Sequence, residues 1–261
     1  MHRVKSCATI CFMIKQLVII LLVAMGMAAG EGADYREIGR MIWVNTANPN
    51  PSELVRWDEK KGCVVMGIGG SSWYSAERSG HADEEFPKFV AFAESQGVKV
   101  PATLRGASPW TEAGELAADA SGRREQLQKW LAGHLDVQAR FLIAKAHAAL
   151  PTMMRKSSMR AEICTRFEQL ALTPQGLYCM ADFLSFMGAG IVEPGQQGYG
   201  LLQALEAMRP GMQVNGAEFA HAAATVLQHY AQNNPPRNAQ EKSLLALQLK
   251  RCRSYATAFH R

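Results

Sequence analysis

Between residues 34 and 46, Tyr35, Ile38, Met41, Ile42 and Asn45 recur every three or four positions, the spacing of a helix with one buried face. Asp34 stands just ahead of them as an N-cap. The helix must stop in "ANPNPS", where two prolines and two asparagines forbid continuation. The pattern then shortens: an apolar piece from Leu54 to Trp57, a polar turn from Asp58 to Gly62, and the β-branched run "CVVMGIG", which together predict a β-hairpin. Residues 82–98 return to helical period, with Phe86, Phe89, Val90 and Phe92 inward and Gly97 closing the helix. Helices are expected at 112–120, 122–150 and 158–171. The long middle one carries a stripe of Leu127, Trp130, Leu131, Leu135, Phe141 and Leu142 and ends at Pro151. Another helix spans residues 173–190. A glycine-rich loop follows at 192–200, then helices over 201–208, 217–231 and 240–255, the last two separated by "NNPPRN". The fold class is mainly α (α+β), a helical bundle with one small hairpin after its first helix, in a single domain over residues 31–261.

The first thirty residues are set apart by His2, Arg3, Lys5 and Lys15 ahead of an apolar run that ends in small residues, the signature of a secretory leader. Cleavage is expected near Ala28 to Gly30. The apolar run is about fourteen residues, shorter than a bilayer-spanning helix needs, so an inner-membrane anchor arises only if the leader stays in place. The mature chain is therefore expected in the periplasm or outside the cell. Removing the leader leaves 25 basic against 23 acidic residues, which takes away the charge excess that nucleic-acid binding needs. The one basic cluster, residues 153–160, reads as a solvated loop or helix end. Four cysteines remain: Cys63, Cys164, Cys179 and Cys252. Cys164 and Cys179 could staple neighbouring helices in an oxidising compartment, or all four could serve as small buried hydrophobes. No Cys or His spacing suggests a metal, and no cofactor motif is present.

The stretch "WDEKKGCVVMGIGG", residues 57–70, resembles the hairpin of phage-type lysozymes, in which an aromatic residue, an acid, a turn glycine, a threonine, a Gly-x-Gly step and a histidine follow one another at this spacing. Gly62, Gly67, Gly69 and Gly70 supply the hairpin frame, and Glu59 falls at the family's second carboxylate. Val65 stands at the threonine and Gly70 at the histidine. The chain resembles more closely a set of exported bacterial lysozyme-like proteins with an "IWxNE" helix end and a late "GQGWGLLQ" loop. Here these read "IWVNT" and "GQQGYGLLQ", so Thr46 occupies the place of the catalytic glutamate. The resemblance implies a lysozyme-like bundle and an ancestry in peptidoglycan cleavage.

Glycoside hydrolysis needs a proton donor on one side of the sugar and a carboxylate on the other. A threonine cannot donate that proton at neutral pH, and losing a positioned acid costs on the order of 10²- to 10⁴-fold. Glu53, on the loop before the hairpin, and Glu59 are the residues that could take the part; Glu37 lies roughly 14 Å back along the helix at about 1.5 Å per residue. Trp73 and Tyr74 could stack on sugar rings or fill the core. Gln197, Gln196 and Tyr199 could line the facing side of a cleft. The expected function is that of an exported, catalytically degenerate lysozyme-like protein that binds peptidoglycan, another glycan or an envelope protein. The alternatives are an active muramidase with a relocated acid, and a structural component of an envelope or secretion apparatus.

Overall fold

The computed structural model describes residues 33–193 and 195–259; the leader read over residues 1–30 lies outside them. Helix α1, Tyr35–Ala47, is capped by Asp34, whose carboxylate accepts the Glu37 amide at 3.0 Å. It ends at Asn48 in the left-handed region. One 3₁₀ turn, Pro51–Leu54, leads into strand β1, Val55–Asp58. Strands β2, Cys63–Met66, and β3, Ser71–Trp73, complete an antiparallel sheet in the order β1-β2-β3, with Val55 opposite Met66 and Met66 opposite Ser71. The expected hairpin is thus the first two strands of a three-stranded sheet. The third escapes a periodicity reading because it is three residues long and two of them are serines. Tertiary contacts make it a strand: Trp73 is wholly buried, and Ser72 donates its hydroxyl to the Asp83 carbonyl.

The remaining helices are α2 (Phe86–Ser95), α3 (Ala113–Ala117), α4 (Arg123–Gly133), α5 (Leu135–Lys156), α6 (Arg160–Ala171), α7 (Pro174–Met187), α8 (Leu201–Ala207), α9 (Gly216–Asn233) and α10 (Ala239–Ser254). The helix expected over 122–150 is two helices that meet at His134, whose backbone leaves the helical region. The break turns α5 against α1, so close that a Cβ on Gly39 would lie 2.3 Å from the Leu135 carbonyl oxygen. Nor does α5 stop at Pro151. It runs on to Lys156, because Met153, beyond the proline, is fully buried and holds the last turn against the body. Arg155, Lys156 and Arg160, the basic cluster, are exposed at the junction of α5 and α6.

Buried side chains from the sheet and the helices form one continuous core, from Val64 and Trp73 through Leu142 and Phe183 to Tyr255. The sheet is tied to it by an amide. Gln138 on α5 accepts the Ile68 amide at 3.0 Å and donates to the carbonyls of Leu131 (2.7 Å) and His134 (3.1 Å). Its oxygen sits 2.2 Å from where a Cβ on Gly67 would be, so the side chain reaches the turn only because position 67 has none. The four cysteines are free thiols. Cys63, Cys179 and Cys252 are buried, and Cys164, half-buried on α6, points to Glu168 rather than to Cys179.

His147 on α5 lies edge-on to Phe167, and its buried Nε2 has no partner among the described residues. Burial holds this imidazole below its ordinary pKa and so favours the neutral ring in the folded chain. As pH falls, the unfolded chain takes up this proton first. Its contribution to stability is therefore complete above about pH 6.5 and is lost as the pH drops below that. Urea midpoints taken at roughly pH 7.5 and 5 should fall for the wild type, and the drop should be smaller for His147→Leu.

Candidate functional site

At the end of α1, Thr46 donates its hydroxyl to the Ile68 carbonyl at 3.2 Å. The end of the helix therefore meets the turn between β2 and β3. What lies behind Thr46 was not expected. Arg251 of α10 donates from Nη2 to Thr46 Oγ1 (3.4 Å) and to Ser185 Oγ (3.1 Å), and its guanidinium lies over the Phe186 ring at 4.5 Å. The same guanidinium holds Asp182 of α7 in a two-point ion pair, Nε to Oδ2 at 2.7 Å and Nη2 to Oδ1 at 2.6 Å.

Asp182 has no exposed surface, so each lone pair on its carboxylate must be met by a protein donor. Tyr255 donates to Oδ2 at 2.6 Å and Asn45 at 3.2 Å, while Asn45 also contacts the Tyr178 hydroxyl at 2.6 Å. Burial by itself lowers the Arg251 pKa, but the Asp182 charge and its hydrogen bonds outweigh this and raise it. Burial, followed by the nearby Asp182 charge, pushes both Tyr178 and Tyr255 upward, keeping their hydroxyls protonated. Asp182 itself is sealed from solvent and committed to a cation, so it cannot pass a proton to a ligand.

The hairpin side is closed as well. Val65, at the threonine position, packs with Cys63 and Tyr74 in a small apolar cluster on one face of the sheet. The loop after β3 folds over that face. Arg78 lies on the Tyr74 ring at 4.5 Å and donates to the carbonyls of Lys61 (2.9 Å) and Gly62 (3.1 Å). Tyr74 donates to the Asp83 carboxylate at 2.9 Å, and Asp83 also pairs with His81 and, at 3.4 Å, with Lys61. Val65 therefore offers this face an apolar side chain where a threonine would offer a hydroxyl. Gly70, at the histidine position, has φ +61, and a side chain there would be strained.

The other expected site residues divide. Trp73 and Tyr74 are corrected from ligand-facing to core: Trp73 stacks on Phe86 (4.9 Å) and meets Trp110 edge-on, and Tyr74 is 1% exposed. Glu53 and Glu59 are both exposed, Glu53 in the 3₁₀ turn and Glu59 in the hairpin turn. That turn is organised by the neighbouring Asp58, whose carboxylate accepts the amides of Lys60 and Lys61 at 3.0 Å. Gly62 and Gly67 take left-handed backbones at the two turns of the sheet, and Gly69 lies under Leu142.

Gln197 and Tyr199, by contrast, line an open groove of about 490 Å³ with Phe186, Ile191, Val192 and Tyr230. Gln196 is exposed in the same loop. The groove wall depends on Gln203, the glutamine of "GYGLLQ". It accepts the Gly200 amide at 2.9 Å and donates to the Gly190 carbonyl at 3.1 Å, drawing the two ends of the loop together. A Cβ on Gly190 would sit 1.9 Å from the Gln203 oxygen, so this bracket needs glycine. Tyr199 meets Tyr230 of α9 edge-on at 5.3 Å. The side chains lining the groove carry no formal charge, and Phe186 links it to the Thr46 position: one ring both carries the Arg251 guanidinium and lines the groove. Among the described residues no cluster of three His, Cys, Asp or Glu could hold a metal ion, and no helix is long and apolar enough to cross a membrane.

No family model, curated protein or solved structure matches the chain. Asp182, Phe186, Tyr230 and Arg251 were not singled out from sequence, since they come from three helices and only the fold brings them together. One faint sign was available: Asp182 interrupts an otherwise apolar helix, and a lone acid there needs a buried cation. Removing that cation should be severe. Arg251→Leu leaves Asp182 charged and unpaired, and a loss of about 3–5 kcal/mol is expected in chemical denaturation. The double variant Arg251→Leu, Asp182→Leu should recover much of it.

Proposed function

We propose that this chain is a lysozyme-like protein that has lost catalysis and binds an uncharged stretch of glycan, in the first place peptidoglycan, through the groove between the 188–199 loop and α9. One observation carries the reading: Thr46, which the resemblance sets at the catalytic glutamate, is in contact with a guanidinium paired with Asp182. A permanent cation there cannot serve as an acid at neutral pH. The hairpin face supports the same view, since Val65 has no hydroxyl with which to hold a water. The groove supports the binding half of the proposal. Aromatic rings from Phe186, Tyr199 and Tyr230 suit the apolar faces of sugars, and the Gln197 amide suits hydroxyl and acetamido groups. Export to the envelope, expected from the leader, would place the chain where such a glycan is found.

The test is sedimentation with purified peptidoglycan sacculi alongside analysis of released fragments. The protein should pellet with the sacculi and release no muropeptides; release at the rate of an active lysozyme would overturn the loss of catalysis. Tyr199→Ala should weaken pelleting on the order of tenfold, given the aromatic surface removed. Glu53→Gln and Glu59→Gln should leave binding and the absence of turnover unchanged, whereas any residual activity abolished by either one would favour a relocated acid. Restoring the acid alone should fail too: in Thr46→Glu the new carboxylate meets Arg251, which favours its ionised form and removes the proton it would need to donate.

A further inference from the structure

We infer that Gln203 is a positioning residue for the groove: it touches no ligand itself and acts by fixing Tyr199 as a platform on which a sugar ring stacks, an inference that rests on the glycan-binding reading above. Gln203 stands in the first turn of α8 and is not among the residues that line the groove, whereas Tyr199, four residues earlier, lines it. Tyr199 is held between two buried glycines, Gly198 and Gly200, while its own side chain is half-buried. Both glycines press against the segment that leaves α7. A Cβ on Gly198 would lie 2.4 Å from the Gly190 carbonyl oxygen, and one on Gly200 would lie 2.3 Å from the Gly190 nitrogen.

Backbones this close form a seam. The amides of Leu201 and Leu202 donate across it to the carbonyls of Gly188 and Ala189, each at 3.0 Å. The Gly190 carbonyl and the Gly200 amide, one on each side of the seam, both go to the Gln203 side chain, at 3.1 and 2.9 Å. A terminal amide suits this task because it donates and accepts from one end. The tip of the loop is held by less: the Gln196 amide donates to the Glu193 carbonyl at 3.1 Å, and Gln196 and Gln197 are exposed. The Tyr199 ring therefore takes its place from the seam beneath it and from Tyr230, which meets it edge-on at 5.3 Å. A ring fixed before the ligand arrives need not be ordered on binding, which strengthens association without adding a contact.

Two measurements on the full-length mature protein test this role. In sedimentation with sacculi, Gln203→Leu, which removes both hydrogen bonds at similar side-chain size, should weaken pelleting on the order of tenfold. Because Gln203 acts through Tyr199, the double variant Tyr199→Ala, Gln203→Leu should pellet about as weakly as Tyr199→Ala alone. A fall to the product of the two effects, on the order of a hundredfold, is what independent sites give and overturns the role. Hydrogen exchange of the free protein adds a readout that needs no ligand. The Gly200 amide should exchange at least about tenfold faster in Gln203→Leu than in the wild type, while amides of residues 220–230 in α9 keep their protection. An unchanged Gly200 amide overturns the role as well. If Gln203→Leu also loses protection in α9, Gln203→Glu takes its place in the double-variant comparison, since it keeps an acceptor for the Gly200 amide and loses only the donor to Gly190. A wild type that never pellets overturns the glycan reading and this role together, whereas equal pelleting by the wild type and Gln203→Leu overturns the role alone.

Discussion

The ion pair between Asp182 and Arg251 is the interaction on which the rest of this structure turns. A carboxylate with no exposed surface is tolerable only if nearly every lone pair is met, and here Arg251, Tyr255 and Asn45 meet them from α10, the terminal turn and α1. Two distant parts of the chain, the end of α1 and residues 251–255, are thereby drawn to one atom group on α7. The arrangement fixes the end of α1, seats the last helix and determines what chemistry the site can carry. A buried pair of this kind gives little net stability compared with an apolar alternative, but it is costly to break. Its value lies in specifying which helices meet and in what register.

The same pair accounts for the state of the site. A hydrolase needs a carboxyl group that holds a proton at neutral pH, which requires an apolar or anionic setting. The end of α1 now has the opposite setting, a cation held in place by its own counter-ion. At the hairpin, Val65 packs with Cys63 and Tyr74 beneath a loop pinned by Arg78 and Asp83. Thr46, Val65 and Gly70 thus bring no titratable side chain to the place where α1 meets the sheet.

The groove on the helical side has a construction of its own. Gln203 brackets Gly190 and Gly200 through its own amide, so the wall depends on close backbone packing and not on any catalytic group. Phe186 joins the groove to the ion pair, since its ring carries the Arg251 guanidinium and lines the groove.

Local pattern was enough for the first helix and its Asp34 cap, the hairpin and its glycine frame, the aromatic face of α2 and the glycine-rich loop with Gln197 and Tyr199. Each of these is set by periodicity or by a backbone geometry that only certain residues tolerate. Local pattern also showed that Thr46 cannot act as an acid, since that follows from the side chain alone. It did not reveal the third strand, the break at His134 or the continuation past Pro151, which are imposed by contacts with remote segments. Nor could it tell whether Trp73 and Tyr74 faced a ligand or the core, because an aromatic residue after a hairpin suits both. The partnership of Asp182 with Arg251, 69 residues apart, was decided by the tertiary structure alone: the cost of burying a charge depends on what else is buried beside it, and that is a property of the folded chain.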